Sequence, residues 1–367
     1  AGVPLIPGTL EPVTQDELFQ AAREAGFPIM LKAQGGGGGK GIRIVHSEEE
    51  LESAFRRASS EAKTAFGLEA LYLEKVILKP RHVEVQILGD GRGKVIALGE
   101  RDCSLQRRHQ KIVEETPCHF ISPQTRKALH EGAVKIGQHV SYRGAGTVEF
   151  LVDSQENFYF LEMNTRLQVE HPVTEEVYDI DLVEAQIQIA QGGWPDWPDL
   201  EPRGHALEIR VVAEDPYANF LPSTGEISYL HLPGGPGVRL DSGLYEGQRI
   251  TPYYDPLLAK LILVGKNRQE VLKKALTALS EFHIKGVSTN LGYVASLLED
   301  ERIHKGDFHT RFLEEDFIPH PPMENREMAA LAAALFIYLS EEAQPLSQDG
   351  KGKMNYWKYY GRTRQLR

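Results

Sequence analysis

The spacing of apolar positions along the chain changes period several times, and each change marks an expected element. Leu18, Ala21, Ala22 and Ala25 recur at helical intervals behind Thr14 and Glu17. A Thr followed three residues later by Glu is a capping box, so a helix is expected here, ended by Gly26. Phe27 to Ala33 and Ile42 to Val45 read as short strands, and Ser47 with Glu50 forms a second capping box opening a helix to about Ala65. Leu71 to Ile77 is strand-like, and Val83 to Leu88 alternates. A turn at Gly89-Asp90-Gly91-Arg92-Gly93 leads to a strand over Val95 to Leu98. Pro123 suits a first helical turn, and that helix runs to about His139. Strand-like alternation on either side of Asp153-Ser154-Gln155-Glu156-Asn157 predicts a hairpin, and Asp181 to Gln191 predicts a helix. From Gly204 the texture becomes β-rich. Ala206, Glu208, Arg210 and Val212 share one strand face, and the β-rich stretch runs to Ile262. Asn267 and Glu270 cap a helix with Val271, Ala275, Leu276, Leu279 and Phe282 inside. Glu324 to Ala343 predicts an amphipathic helix, and the aromatic, basic stretch Met354 to Arg367 reads as the first strand of a following region.

The hairpin carries candidate chemistry. With its loop at Ser154 to Asn157, Asp153 faces Phe158, Glu149 faces Glu162 and Thr147 faces Asn164. Directly opposed carboxylates repel by up to about 1 kcal/mol. A divalent cation reverses that sign, and two carboxylates with an amide oxygen are hard ligands suited to Mg²⁺. Arg166, Gln168, Glu170 and His171 follow in an irregular run expected to stop at Pro172. Taken alone, the same residues also describe a solvated surface hairpin.

Two further stretches point to an anion. Gly35 to Gly39, between Lys32 and Lys40, permit close approach of main-chain N–H groups to phosphate, although a plain linker has the same composition. No Ser or Thr follows Lys40, so this is not a Walker A loop, and the following strand excludes the dinucleotide fingerprint. The strand edge at 71–77 is expected to offer main-chain groups to adenine, with Glu74 reaching the amino group or a ribose. Glu100 to Lys111 concentrates Arg107, Arg108, His109 and Lys111 in what reads as a loop, either an anion site or a basic surface.

Length suggests two to three domains, and 41% hydrophobic with 25% charged residues is ordinary for a globular protein. A net charge of −11 argues against a general nucleic-acid binder. No apolar run approaches the roughly 18 residues of a membrane span. Cys103 and Cys118 have neither metal-ligand spacing nor the density of a disulfide scaffold, so a reducing compartment is expected. Ala-Gly-Val-Pro shows no signal-like segment and reads as the start of a fragment.

Several segments occur together: the glycine run with Lys32, Pro80-Arg-His-Val-Glu-Val-Gln86, Glu100 to Lys111, Tyr142 to Thr147, Glu162 to Thr174 and Arg203-Gly-His-Ala. In this combination the chain resembles, from Ala1 to about Asp316, the biotin carboxylase component of biotin-dependent carboxylases, a branch of the ATP-grasp superfamily. The resemblance implies an α+β chain. An ATP-grasp domain would span 1–203, with its lid at about 4–76. A C-terminal α+β domain would span 204–316, and 317–367 would hold a linker, a helix and the start of a truncated region. It implies ATP contacts at Lys32, Gly36, Gly37, Gly38, Gly39, Ile42, Glu74, Lys75, Ile77, His82, Gln106 and His109. Mg²⁺ or Mn²⁺ would sit at Glu149, Glu162 and Asn164, and bicarbonate at Lys111, Arg166, Gln168, Val169 and Glu170. Glu170 would be the general base, and Arg210 would stabilise the biotin enolate, with Lys111 and Arg166 also catalytic. Implied partners are a biotin carboxyl carrier domain presenting biotin as substrate, a carboxyltransferase subunit and a second copy of the chain. No nucleic acid or membrane is implied, and the setting is the cytoplasm or a mitochondrial matrix. Family members carry a preceding α/β subdomain with a further phosphate-binding lysine, and a Met-Lys-Met biotin-carrying motif occurs elsewhere in their assemblies; neither is in this sequence. Other expectations left open are a different carboxylate–amine ATP-grasp ligase, such as a carbamoyl-phosphate synthase relative, and a catalytically silent ATP-binding assembly module.

Overall fold

The computed structural model describes residues 1–33, 42–67, 70–197, 200–319 and 325–342. Ala1–His320 form one compact unit, and Pro321–Arg367 a second. In the second, the expected helix runs Asn325–Glu342 and exposes Leu331, Leu335 and Phe336. The glycine run and the stretch 354–367 lie outside the described residues.

The first lobe is a three-stranded antiparallel sheet of β1 (Ile29–Ala33), β2 (Ile42–Val45) and β3 (Leu71–Lys75), with β1 central. Helices α1 (Gln15–Ala25) and α2 (Glu48–Phe66) cover it. Their stripes meet the inward faces of the strands: Leu18, Ala22, Leu51, Ala54, Ala58 and Ala62 pack with Ile29, Leu31, Leu71 and Leu73. The capping box at Thr14 forms. The one at Ser47 does not, because Glu50 accepts from the amide of His46 instead (3.2 Å). Nor is β3 a free edge. The amides of Thr9 and Val13 bond the carbonyls of Leu73 and Leu71, and the amide of Lys75 bonds Pro7 O.

The body is an eight-stranded antiparallel sheet. Its order is the strand Val238–Ser242, the strand Leu257–Gly265, β9 (His205–Val212), β6 (Gln110–Thr116), β5 (Val95–Arg107), β4 (Arg81–Asp90), β7 (Arg143–Val152) and β8 (Phe158–Asn164). The boundary expected at 203/204 therefore crosses a continuous ladder, since β9 pairs directly with β6. One face packs on α3 (Pro123–His139) through Val83, Val85, Ile87, Val148 and Phe150. Further along, the same side packs on α6 (Arg268–Glu281) and α7 (Leu291–Glu299) through Leu207, Ile209, Val211 and Leu261. The opposite face meets α4 (His171–Tyr178) through Ala206 and Ile262, and α5 (Leu182–Ala190) through Leu88 and Leu98.

Three local expectations are corrected. Residues 100–107 are not a loop but continue β5, and only Arg108 and His109 make the turn to β6, at φ 49° and 65°. Pro172 does not stop the run after the hairpin. It lies in the first turn of α4, where its missing N–H is no loss. The hairpin loop is longer than expected, so Val152 rather than Asp153 faces Phe158. A bulge at Leu161 then restores the expected pairs Glu149–Glu162 and Thr147–Asn164. Among the described residues no helix is long and apolar enough to cross a membrane.

Candidate active site

Strand β4 is buried on both faces. Val83, Val85 and Ile87 enter the apolar core, while His82, Glu84 and Gln86 point the other way into a buried polar layer. Charge survives there only with partners, and Arg101 of β5, fully buried, supplies most of them. Its Nε donates to Glu84 Oε1 (2.5 Å), Nη1 to Gln86 Oε1 (2.8 Å) and Thr174 Oγ1 (3.0 Å), and Nη2 to Thr147 Oγ1 (3.2 Å) and Gln168 Oε1 (3.0 Å). One guanidinium thus ties β4, β7, α4 and the loop before α4 together.

Lys111, at the start of β6, lies beside it. Its ammonium donates to Glu84 Oε2 (2.5 Å), Glu170 Oε1 (2.6 Å) and Glu149 Oε1 (3.2 Å). Glu170 also accepts through Oε2 from Arg210 Nη2 (2.8 Å), and Arg210 Nε donates to Glu114 Oε1 (2.6 Å). Glu170 is therefore the hinge between two partly buried cations. Burial works against the charges of Lys111 and Arg210, yet the surrounding carboxylates hold both well above their ordinary values. Burial would raise Glu84 and Glu149. Lys111 and Arg101 outweigh it at Glu84, and His82 and Lys111 outweigh it at Glu149, so both fall to about 2.

Glu149 Oε1 further accepts from Gln168 Nε2 (2.9 Å) and Asn164 Nδ2 (3.0 Å). Asn164 also donates to exposed Glu162 (3.3 Å), and its Oδ1 accepts from Arg166 Nη2 (3.4 Å). His82 Nε2 lies 3.1 Å from Glu149 Oε2, off the line of a hydrogen bond, while Gln106 Nε2 sits 3.5 Å from the other ring nitrogen. Lys260 donates to the carbonyl of Val169 (3.2 Å) and so fastens the pocket loop to the strand 257–265.

Lys111, Glu149, Gln168, Glu170, Arg210, His82 and Gln106 thus converge, with Glu162, Asn164 and Arg166 on the rim. In the first lobe Lys32 is paired with Glu74 (2.5 Å), Ile42 stands opposite Lys32, and Ile77 lies beyond the end of β3. Lys75 is exposed, and His109 is exposed at its turn. Residues 36–39 lie outside the described residues. Sequence reasoning missed Glu84, Arg101 and Glu114. The available signal was the polar half of the alternation His82-Val-Glu-Val-Gln86, but alternation marks only a face and does not reveal that the face is covered.

Glu149 and Glu162 stand directly opposite and both accept from the amide nitrogen of Asn164, and two facing carboxylates are the hard oxygen donors that suit a divalent cation.

Comparison with known proteins decides the family. Residues 1–194 match the family model "Carbamoyl-phosphate synthase L chain, ATP binding domain", and residues 208–315 match "Biotin carboxylase C-terminal domain". Biotin carboxylase 1 of Bacillus subtilis is 48% identical over 318 residues, covering 86% of this chain and 71% of that protein. The chain belongs to the biotin carboxylase family. Its fold is accordingly ATP-grasp followed by the biotin carboxylase C-terminal domain. The biotin carboxylase domain of Hydrogenobacter thermophilus 2-oxoglutarate carboxylase, a dimer in complex with MgADP, ADP and bicarbonate, aligns at a TM-score of 0.79 and 44% identity. That match covers 86% of this chain and 70% of the other. The human mitochondrial propionyl-CoA carboxylase alpha chain is 46% identical over 367 residues, 96% of this chain and 50% of that protein. The chain thus spans half the length of that biotin carboxylase relative.

Proposed function

We propose that the chain catalyses ATP- and bicarbonate-dependent carboxylation of biotin. The observation that carries this reading is Glu170 held between Lys111 and Arg210, a base between two cations at the edge of a buried acidic layer. Bicarbonate would bind where Lys111, Arg166, Gln168, the main chain of Val169 and Glu170 meet. Its oxygen attacks the γ-phosphorus of ATP, ADP leaves, and carboxyphosphate forms; positioning and charge neutralisation dominate such a step. Carboxyphosphate splits to phosphate and CO₂, the released phosphate takes the proton of biotin N1, and the resulting anion attacks CO₂. Glu170 is suited to accept the bicarbonate proton. Arg210, permanently charged, is suited to face the developing enolate oxygen. A divalent cation, Mg²⁺ or Mn²⁺, bound by Glu149, Glu162 and Asn164 would neutralise phosphate charge.

Lys32, Ile42, Glu74, Lys75 and Ile77, with the glycine run, would take the nucleotide, and His82, Gln106 and His109 its phosphates. We retain 1–203 and 204–316 as the two working modules although one sheet joins them. The propionyl-CoA carboxylase alpha chain matches 96% of this chain and Bacillus subtilis biotin carboxylase 1 matches 86%. We read the chain as part of an acyl-CoA carboxylase subunit working with a biotin carrier domain, a carboxyltransferase and a second copy of itself, in the cytoplasm or a mitochondrial matrix. The match over 208–315 favours biotin over the amine substrate of a carbamoyl-phosphate synthase relative.

The test is bicarbonate-dependent ATP hydrolysis with and without free biotin, on this chain and on a version extended to the length of its relatives. Stimulation by biotin is expected. ATP binding without turnover in either form would favour a silent module, and a requirement for ammonia or an amino acid would favour the other ligase.

A further inference from the structure

Behind Arg210 lies a pair of carboxyls that the reaction above leaves unused. Glu208 on β9 stands directly opposite Glu114 on β6, and both are 0% exposed. Glu114 holds Arg210 through Oε1, but its Oε2 has no hydrogen-bond partner, and neither oxygen of Glu208 has one. Across the other edge of β9, Glu208 faces Ile262 of the strand 257–265, which packs with Val173 and Val177 of α4.

The surrounding charges are otherwise engaged. Arg210, two residues along β9, is shared by Glu114 and Glu170. Lys260, on the strand 257–265, donates to Val169 O (3.2 Å) and pairs with Asp241 (3.2 Å). Lys111 on β6 is taken by Glu84, Glu149 and Glu170. Among the described residues Lys260 and Arg210 are the cations that pull on Glu208, and neither pairs with it. An ionised, unpaired carboxylate there would carry a severe desolvation cost and would repel the one opposite.

The geometry points to a proton shared between Glu208 and Glu114, so that the pair bears a single negative charge and positions Arg210 toward Glu170. In this arrangement the O–H of Glu208 donates to Glu114 Oε2. That leaves Glu114 one charge for the guanidinium and accounts for otherwise orphaned oxygens. The electrostatics agree. Burial, then the neighbouring Glu114, pushes Glu208 well above the carboxylate range. Burial also pushes Glu114 up, to about 7, against the opposing pull of Arg210. Two carboxyls in one site titrate as a pair.

For a carboxyl raised in the folded state, stability is fully present below its unfolded value and is lost as pH rises through the folded one. Glu208→Gln keeps the shape and a donor but cannot ionise. Its melting temperature relative to the parent should therefore climb as pH is raised. Difference infrared spectra in H₂O and D₂O should show an isotope-sensitive protonated-carboxyl band in the parent that is missing from Glu208→Gln. A band unchanged in Glu208→Gln overturns the shared proton. So does the absence of such a band from the parent.

The role in aiming Arg210 rests on the biotin-side reading of that residue. Its test is the KM for free biotin, expected to rise roughly tenfold in Glu114→Gln, while bicarbonate-dependent ATP hydrolysis falls less. Equal loss of both overturns the positioning role. If biotin has no effect on the parent, the proposed reaction fails, and the infrared band still decides the proton pair.

Discussion

Arg101 shows how much one side chain carries when its setting is dry. Its donors meet Glu84, Gln86, Thr147, Thr174 and Gln168 with no exposed surface. Replacing it by Gln leaves Glu84 with Lys111 alone and takes the donors from several buried acceptors. Urea unfolding of Arg101→Gln should show a loss of about 3–5 kcal/mol, the cost of breaking a buried ion pair. Arg23, more than half exposed beside Glu48, should be replaceable with almost no loss. Glu162 differs in kind. It is exposed and stands opposite Glu149, so Glu162→Gln should leave stability within about 0.5 kcal/mol. The Mg²⁺ concentration giving half-maximal ATP hydrolysis should meanwhile rise by roughly tenfold or more. A large fall in melting temperature with the metal requirement unmoved would refute its place in the cation site. Both acids of the hairpin were legible in the sequence as candidates, but their expected pairing holds only because the bulge at Leu161 offsets the longer loop. Arg101 was not, because nothing local distinguishes an arginine in a buried strand from one in a basic loop.

At the scale of elements, the strand carrying Arg210 is pinned from the side. Asn290 Nδ2 donates to Arg210 O (2.8 Å), and its Oδ1 accepts from the amide of Val212 (2.9 Å). Asn290→Ala takes the partner from two partly buried main-chain groups of β9, at about 1 kcal/mol each. Hydrogen exchange should show Val212 losing protection before the rest of the sheet. The helix caps give a smaller and simpler case. Ser122 accepts from Thr125 N (3.2 Å) at the start of α3, and Ser122→Ala should cost about 1 kcal/mol by thermal melting. The caps at Thr14 and Asn267 and most helix spans were legible because they depend on neighbours in sequence. The bulge at Leu161 and the extension of β5 through Arg107 were not, since both answer to the strand alongside.

Across the whole molecule, the buried acids set the response to pH. Glu84, Glu115 and Glu149 lie at about 2. At Glu115 burial is outweighed by His205 and Arg268, which bond it at 2.8 and 2.7 Å. A depressed carboxyl contributes stability that is present above its ordinary value and lost as pH falls through the folded one. Calorimetry should therefore find the melting temperature dropping steeply between pH 4.5 and about 2. Glu115→Gln, already weakened at neutral pH, should drop less over that interval. An unchanged slope would show that the triad with His205 and Arg268 does not govern acid unfolding.

The sequence by itself determined six of the helices, the hairpin with its two acids and the family, because short-range periodicity, turn chemistry and motif spacing are written in consecutive residues. Only the tertiary structure decided which polar face lies in water and which is sealed. A period of two reads the same for a solvated face and for the layer of Glu84, Arg101, Lys111 and Glu149. It also decided that residues on either side of 203 share one sheet, and that Glu208 stands opposite Glu114. Such pairings join strands about ninety positions apart in the chain, and no local pattern encodes the loop closure that brings them together.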